Sequence, residues 1–290
     1  MNDDLFTNTA PPETACPDDL VAALKATGRR AVSLKDELDD CKALHKFLEE
    51  LISYRDKGWV LHLKALCDRE ADRLKRLRET GQAWIQSVED LYRDAMEQSK
   101  RMPTMIPTNI ERLSNATGIA IDRKSRHPRY FFGKDGFLEA RIDDLKLTAT
   151  ISTREGKLAT IPADPPAILD SVGVESKRLF GRKYNGPRFL SDIRKAYLAV
   201  MKARKDARDG DPIPIREIYA EMTKKTKGYK RDEFLVDLST LVEQGPAETS
   251  GFRFDLQQTK DTQEGILLLG VAGRGMVNLM IFKKSNSTPS

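Results

Sequence analysis

The chain has 290 residues, with 49 Lys/Arg against 44 Asp/Glu, 32% charged side chains and a mean hydropathy of −0.52. That length allows two modest domains, each with its own core. The surplus of charge is that of long solvated helices and argues against a compact enzyme enclosing a small substrate.

The charge is unevenly placed. Lys177 to Arg231 holds 17 Lys/Arg against 6 Asp/Glu, a net of +11, so the rest of a chain that sums to +5 carries −6. Such a window fits a polyanionic partner. The longest apolar stretches, such as Gly265 to Gly270, fall far short of the roughly 20 residues that span a membrane. Met1 to Pro17 has neither the basic start nor the apolar core of a secretory signal. Cys16, Cys41 and Cys67 include no C-x-x-C pair and read as reduced thiols of a cytoplasmic protein.

Met1 to Pro17 reads as a disordered lead-in, and a short helix is expected over Asp18 to Arg29. Ser33, with Asp36 following, reads as the N-cap of the next helix. Leu34, Leu38, Cys41, Leu44, Leu48 and Leu51 then keep the 3/4 spacing of one helical face. The face resumes at Trp59, Leu63 and Leu66 and continues through Leu74, Leu77, Trp84, Val88, Leu91 and Ala95, with a stutter at Glu70. Two readings fit: a helical bundle within a globular domain, or a coiled coil. The coiled coil would be a hairpin turning near Lys57-Gly58 or an arm docking on a partner. Pro103 and Pro107 are expected to end the helix, leaving a short piece from Asn109 to Ser114.

From Tyr130 the period changes. Leu145 to Ser152 alternates as a strand, Arg154 to Lys157 is a turn and Leu158 to Ile161 returns, forming a small β-hairpin element closed by Pro162, Pro165 and Pro166. Helices are expected over Phe189 to Ala203, Ile215 to Thr223 and Arg231 to Gln244, with Asp211-Pro-Ile-Pro as an extended link and Lys224 to Tyr229 as a basic turn. Strands are expected over Phe252 to Leu256, Gly265 to Val271 and Met276 to Phe282, with Thr259 to Glu264 as a loop. The fold class is α+β, mainly helical.

Enzyme signals are weak. Asp144, Glu155 and Lys157 match the spacing of metal-dependent nucleases, but a glycine splits Glu155 from Lys157 in what reads as a turn. Gly270 to Gly275 lacks the Lys and Ser/Thr of a phosphate loop. His45, His62 and His127 have no Cys, Ser or carboxylate at catalytic or ligand spacing. No catalytic residue, metal site or cofactor is expected.

Basic clusters interleaved with aromatics are the stronger signal. Arg123, Lys124, Arg126, Arg129 and Lys134 surround Tyr130 to Phe132, while Lys177 and Arg178 lie beside Phe180. The candidate nucleic-acid contacts are Lys224, Lys225, Lys227, Lys230 and Arg231 around Tyr229, with Arg182, Lys183 and Arg188 upstream. An ordinary solvated face is the alternative for each cluster. The third helix shows Asp232, Glu233, Asp237 and Glu243 away from its apolar stripe, which disfavours base reading in a major groove. That carboxylate face is expected to be exposed to solvent or to dock on a protein.

Helix, extended link, helix, turn, helix and β-hairpin over Phe189 to Phe282 resembles the order of a winged helix-turn-helix. A helical arm joined to such a module is similar to the small non-ATPase accessory subunits of SMC-like bacterial defence complexes of the Lamassu type. The resemblance implies a non-catalytic scaffold that holds DNA without sequence choice beside an SMC-like ATPase, with an effector nuclease as a further partner. The alternative is a plasmid or phage replication or transcription factor that forms a homodimer through its arm. The expected organisation is a lead-in (1–17), a helical arm (18–101), a linker with the β-element (102–176), a basic winged-helix domain (177–284) and a disordered tail (285–290).

Overall fold

The structure, a computed structural model, describes residues 18–204, 208–225, 228–261, 265–270 and 275–285. The expected lead-in and all but Ser285 of the expected tail lie outside the described residues. The chain divides into two units, Met1–Asp56 and Lys57–Ser290. About 60% of the described residues are helical. No helix among the described residues is long and apolar enough to cross a membrane.

The first unit contains one helix, α1 (Asp18–Asp56). The expected break after Arg29 and the cap at Ser33 do not occur. Ser33 instead turns its hydroxyl to Glu37 Oε1, 3.2 Å away on the next turn.

The second unit opens with α2 (Val60–Arg69), α3 (Ala71–Glu79) and α4 (Trp84–Thr117). Helix α4 runs through Pro103 and Pro107, contrary to the expected break. Met102, Ile106 and Ile110 recur at steps of four and are buried in the core, the last two completely. Their packing outweighs the roughly 3 kcal/mol that an interior proline costs a helix.

Four strands follow as an antiparallel meander: β1 (Arg129–Phe132), β2 (Leu138–Asp143), β3 (Thr148–Thr153) and β4 (Gly156–Pro162). It is twice the expected hairpin, because Phe131 to Phe132 and Leu138 to Ile142 also pair in register. Tyr130, Phe132, Leu138, Ala140, Ile142, Ala149 and Ile151 face the core at period two.

Helix α5 (Pro165–Phe180) lies where a linker was expected. Its prolines start a helix, with Asp164 as N-cap and Pro at the first position. Ala167, Ile168, Leu169, Val172 and Leu179 then form its buried face. After it come α6 (Gly186–Ala203), β5 (Ile213–Pro214), α7 (Ile215–Lys225), α8 (Arg231–Gln244), β6 (Glu248–Thr249), β7 (Phe252–Thr259) and β8 (Met276–Lys284). The second sheet has the order β5-β8-β7-β6. Of the expected strand from Gly265, only Ile266 pairs, across from Val277. Leu268 and Leu269 turn into the core instead, and Val271 lies outside the described residues. One continuous core runs from Leu61 to Phe282 and joins both sheets, so no boundary separates 102–176 from 177–284.

Arg194, only 7% exposed, is central to the C-terminal part. Its guanidinium lies 4.1 Å from the Phe252 ring centroid and 4.9 Å from that of Phe282, and it binds both oxygens of Asp209 at 2.7 and 2.6 Å. Those bonds hold the Asp209 carboxyl below its usual range. A depressed carboxylate stabilises the fold above the unfolded value of about 3.9, and that contribution is lost as pH falls through the folded value. Asp209→Asn is therefore expected to lower Tm at neutral pH. The gap from wild type should narrow as pH falls below the unfolded value of about 3.9 and through the folded one, as followed by thermal melts across pH 2 to 7.

Candidate nucleic-acid interface

Helix α8 occupies the place where a base-reading helix would be sought, and it is covered along its length. The link from α5 to α6 runs beside it. Arg178 bonds both Asp232 oxygens and reaches Glu233 at 2.9 Å and Glu175 at 2.6 Å. One turn on, Arg182 bonds Asp237 Oδ1 at 2.8 Å and the Glu233 carbonyl at 3.2 Å. At the far end the backbones of α6 and α8 touch. A Cβ on Gly186 would lie 2.7 Å from the Gly245 carbonyl oxygen, so only glycine fits there. On other sides Arg231 pairs with Glu155 of the β3–β4 turn, Ser239 Oγ accepts the Leu269 N–H at 2.9 Å, and Lys134 pairs with Glu243 at 2.6 Å.

The expectation of an exposed acidic face on α8 is thus corrected. Asp232 is 4% exposed, and the carboxylates dock on arginines of the same chain. Burial opposes the Arg178 charge, but bonds to Asp232, Glu175 and Glu233 outweigh it and raise its pKa. Burial also raises the Asp237 carboxyl, against the pull of the Tyr229 hydroxyl at 2.6 Å and of Arg182.

This geometry sorts the candidate contacts. Arg182 and Arg231 are engaged in internal ion pairs. Lys230 is exposed at the N-cap of α8, its N–H donated to Glu233 Oε2 at 3.0 Å. Lys183 is exposed next to Arg182, and Arg188 is 82% exposed in the first turn of α6, only loosely paired with Asp192 at 3.9 Å. Lys224 lies in the last turn of α7, 72% exposed beside Glu221 at 2.8 Å. The backbone of Lys225 is helical rather than part of a turn, while its side chain and the whole of Lys227 lie outside the described residues. Arg182 and Tyr229 meet on Asp237, which brings the backbone segments that carry Lys183 and Lys230 together.

Two histidine pairs escaped the spacing argument because their partners are distant in sequence. Asp164, fully buried, accepts the Leu61 and His62 N–H groups at 2.8 and 2.9 Å and contacts His62 Nδ1 at 2.7 Å. It therefore caps α2 from 103 residues away while starting α5. His127 lies between Asp144 Oδ2 at 2.8 Å and the Tyr130 hydroxyl at 3.2 Å. Burial pushes Tyr130 up to about 12, so its hydroxyl is a proton donor at neutral pH and not a nucleophile.

The nuclease spacing does not become a site. Asp144 follows β2 at the end where Asp143 pairs with Thr148, and Glu155 lies beyond Thr153 at the other end of β3. A strand of that length separates them by roughly 17 Å at about 3.4 Å per residue, too far to share an ion. No group of three or more His, Cys, Asp or Glu among the described residues could hold a metal. Comparison of the chain with protein families, curated proteins and solved structures finds no match.

Proposed function

We propose that this protein is a non-catalytic, DNA-contacting scaffold subunit, and that its C-terminal part is a winged helix whose third helix has been taken into the core. The observation that carries this reading is the pairing of β5 with β8 in the order α6-β5-α7-α8-β7-β8. A short strand between the first two helices, paired with the last strand of the hairpin, is the winged-helix arrangement. The covering of α8 by Arg178, Arg182 and Glu155 argues against major-groove reading and so against a sequence-specific replication or transcription factor. Contact then falls to exposed lysines and arginines on phosphates, with Lys183, Arg188, Lys224 and Lys230 as the leading group and Lys225 and Lys227 beside them. The long N-terminal helix is compatible with service beside an SMC-like ATPase of a Lamassu-type defence complex.

Replacing Lys183, Lys224 and Lys230 together by Glu is expected to weaken binding to unrelated duplexes by similar factors. Each lost phosphate contact should reduce the slope of log affinity against log salt by about 0.9. Fluorescence anisotropy with three unrelated duplexes of about 30 base pairs over a salt series measures both. A strong preference for one duplex, or binding unchanged by the triple reversal, would overturn this interface.

A further inference from the structure

We infer that α1 pairs with the α1 of a second copy of this chain as an antiparallel coiled coil over residues 20–45. The inference rests on α1 alone and is independent of the proposed DNA contact.

Helix α1 carries an unbroken alternation of steps of four and three: Leu20, Leu24, Thr27, Ala31, Leu34, Leu38, Cys41 and His45. All eight are exposed, with Leu20 at 59%, Leu24 at 73%, Leu34 at 52% and Leu38 at 53%. A heptad seam left in water is a helix without its partner.

The residues on the seam select the partner and its direction. Aligned in parallel with itself, the seam stacks Ala31 on Ala31 and Thr27 on Thr27, two adjacent thin layers, Cys41 on Cys41 and His45 on His45, and leucine on leucine in the other four layers. Turned antiparallel, it offers layers of Leu20 with His45, Leu24 with Cys41, Thr27 with Leu38 and Ala31 with Leu34. Each layer then pairs one leucine with one smaller or polar residue, so large fills small throughout.

The flanking charges agree. In the antiparallel register Arg30 meets the second copy's Glu37, twice by symmetry, and the remaining flanking pairs contain no like charges. In parallel, Arg30 would instead meet the second copy's Lys35. Sliding the antiparallel pair by one heptad places Glu37 on Glu37 and Lys35 on Lys35, or Arg30 on Arg30. Of these arrangements, only the first avoids every like-charge contact while keeping the whole seam in register.

The test uses the full chain at low salt, with dimer affinity from sedimentation equilibrium and helicity from circular dichroism. Arg30→Glu should raise the dimer dissociation constant about tenfold, since two attractive contacts become repulsive, and adding Glu37→Arg should restore it. The parallel arrangement predicts the opposite sign, because the introduced carboxylate would then meet Lys35. In a Cys16→Ser background, Leu24→Cys should form a disulfide on mild oxidation between the introduced thiol and the second copy's Cys41, mapped by peptide mass spectrometry. A dimer that Arg30→Glu leaves unchanged or tightens, a Cys41–Cys41 link, or a wild-type chain that remains monomeric at every concentration would overturn the inference.

Discussion

Arg178→Met will cost about 3–5 kcal/mol of folding stability, the range for removing one partner of a buried ion pair. Arg178 lies between four carboxylate contacts from three residues, and its main partner, Asp232, is almost wholly buried at the start of α8. Methionine keeps much of the volume, so the loss is electrostatic and not a cavity effect. Without the guanidinium, Asp232 must take up a proton or remain charged in an apolar setting. Urea unfolding should show a lower midpoint with an unchanged slope. Pairing the change with Asp232→Leu should recover most of the loss, since an apolar pair of similar size does not leave a buried charge. A loss below about 1 kcal/mol for Arg178→Met would mean that water reaches this face of α8, and α8 would return as a DNA-reading candidate.

Asp164→Ala should be nearly as damaging, at about 3 kcal/mol. The carboxylate satisfies two amides at the start of α2 and holds His62. A lost cap costs roughly 1 kcal/mol, and each buried donor left without an acceptor costs about 1–3 kcal/mol. Asp164→Asn keeps one acceptor oxygen and should fall between alanine and wild type. Hydrogen exchange separates local from global effects. The Leu61 and His62 amides should lose protection before the strands of the meander do. Uniform loss across the whole unit would show that Asp164 supports the core and not the helix start.

The C-terminal order was legible because local signals agreed with one another. Arg231 to Gln244 was bounded by Gly245-Pro246, and the stripe Phe234, Leu235, Leu238 and Leu241 is the face that is buried. Elements were misread where a local rule yielded to packing. Pro103 and Pro107 read as breakers, yet Ile106 and Ile110 hold α4 together. Pro165 read as the end of the β-element, when proline at a first helical position is also a start signal.

The candidate site was legible as charge but not as geometry. Counting Arg178 and Arg182 as free cations and Asp232 and Asp237 as a free acidic face double-counted groups that neutralise one another. Separations of 54 and 55 residues, from α5 and the link after it to α8, hide those pairings from any spacing argument. A longer separation, 102 residues, hid the carboxylate partner of His62, whereas His127 and Asp144, 17 residues apart, were separated by two strands that had not been recognised as paired.

The tie between Asp164 and the start of α2 also sets an order of events during synthesis. Residues 61 and 62 leave the ribosome 103 and 102 residues before their acceptor exists. At about 5–20 residues per second, that is a wait of roughly 5–20 s. Through that interval α2 lacks its N-terminal acceptor, and the elements that pack on it, α3, α4 and then β4, emerge only in turn. Closing so long a loop is entropically costly, which places it late, after the local meander β1–β4. The first helices of the second unit are therefore among the last to be secured, and the nascent chain is most exposed to wrong partners in the segment made early and finished late.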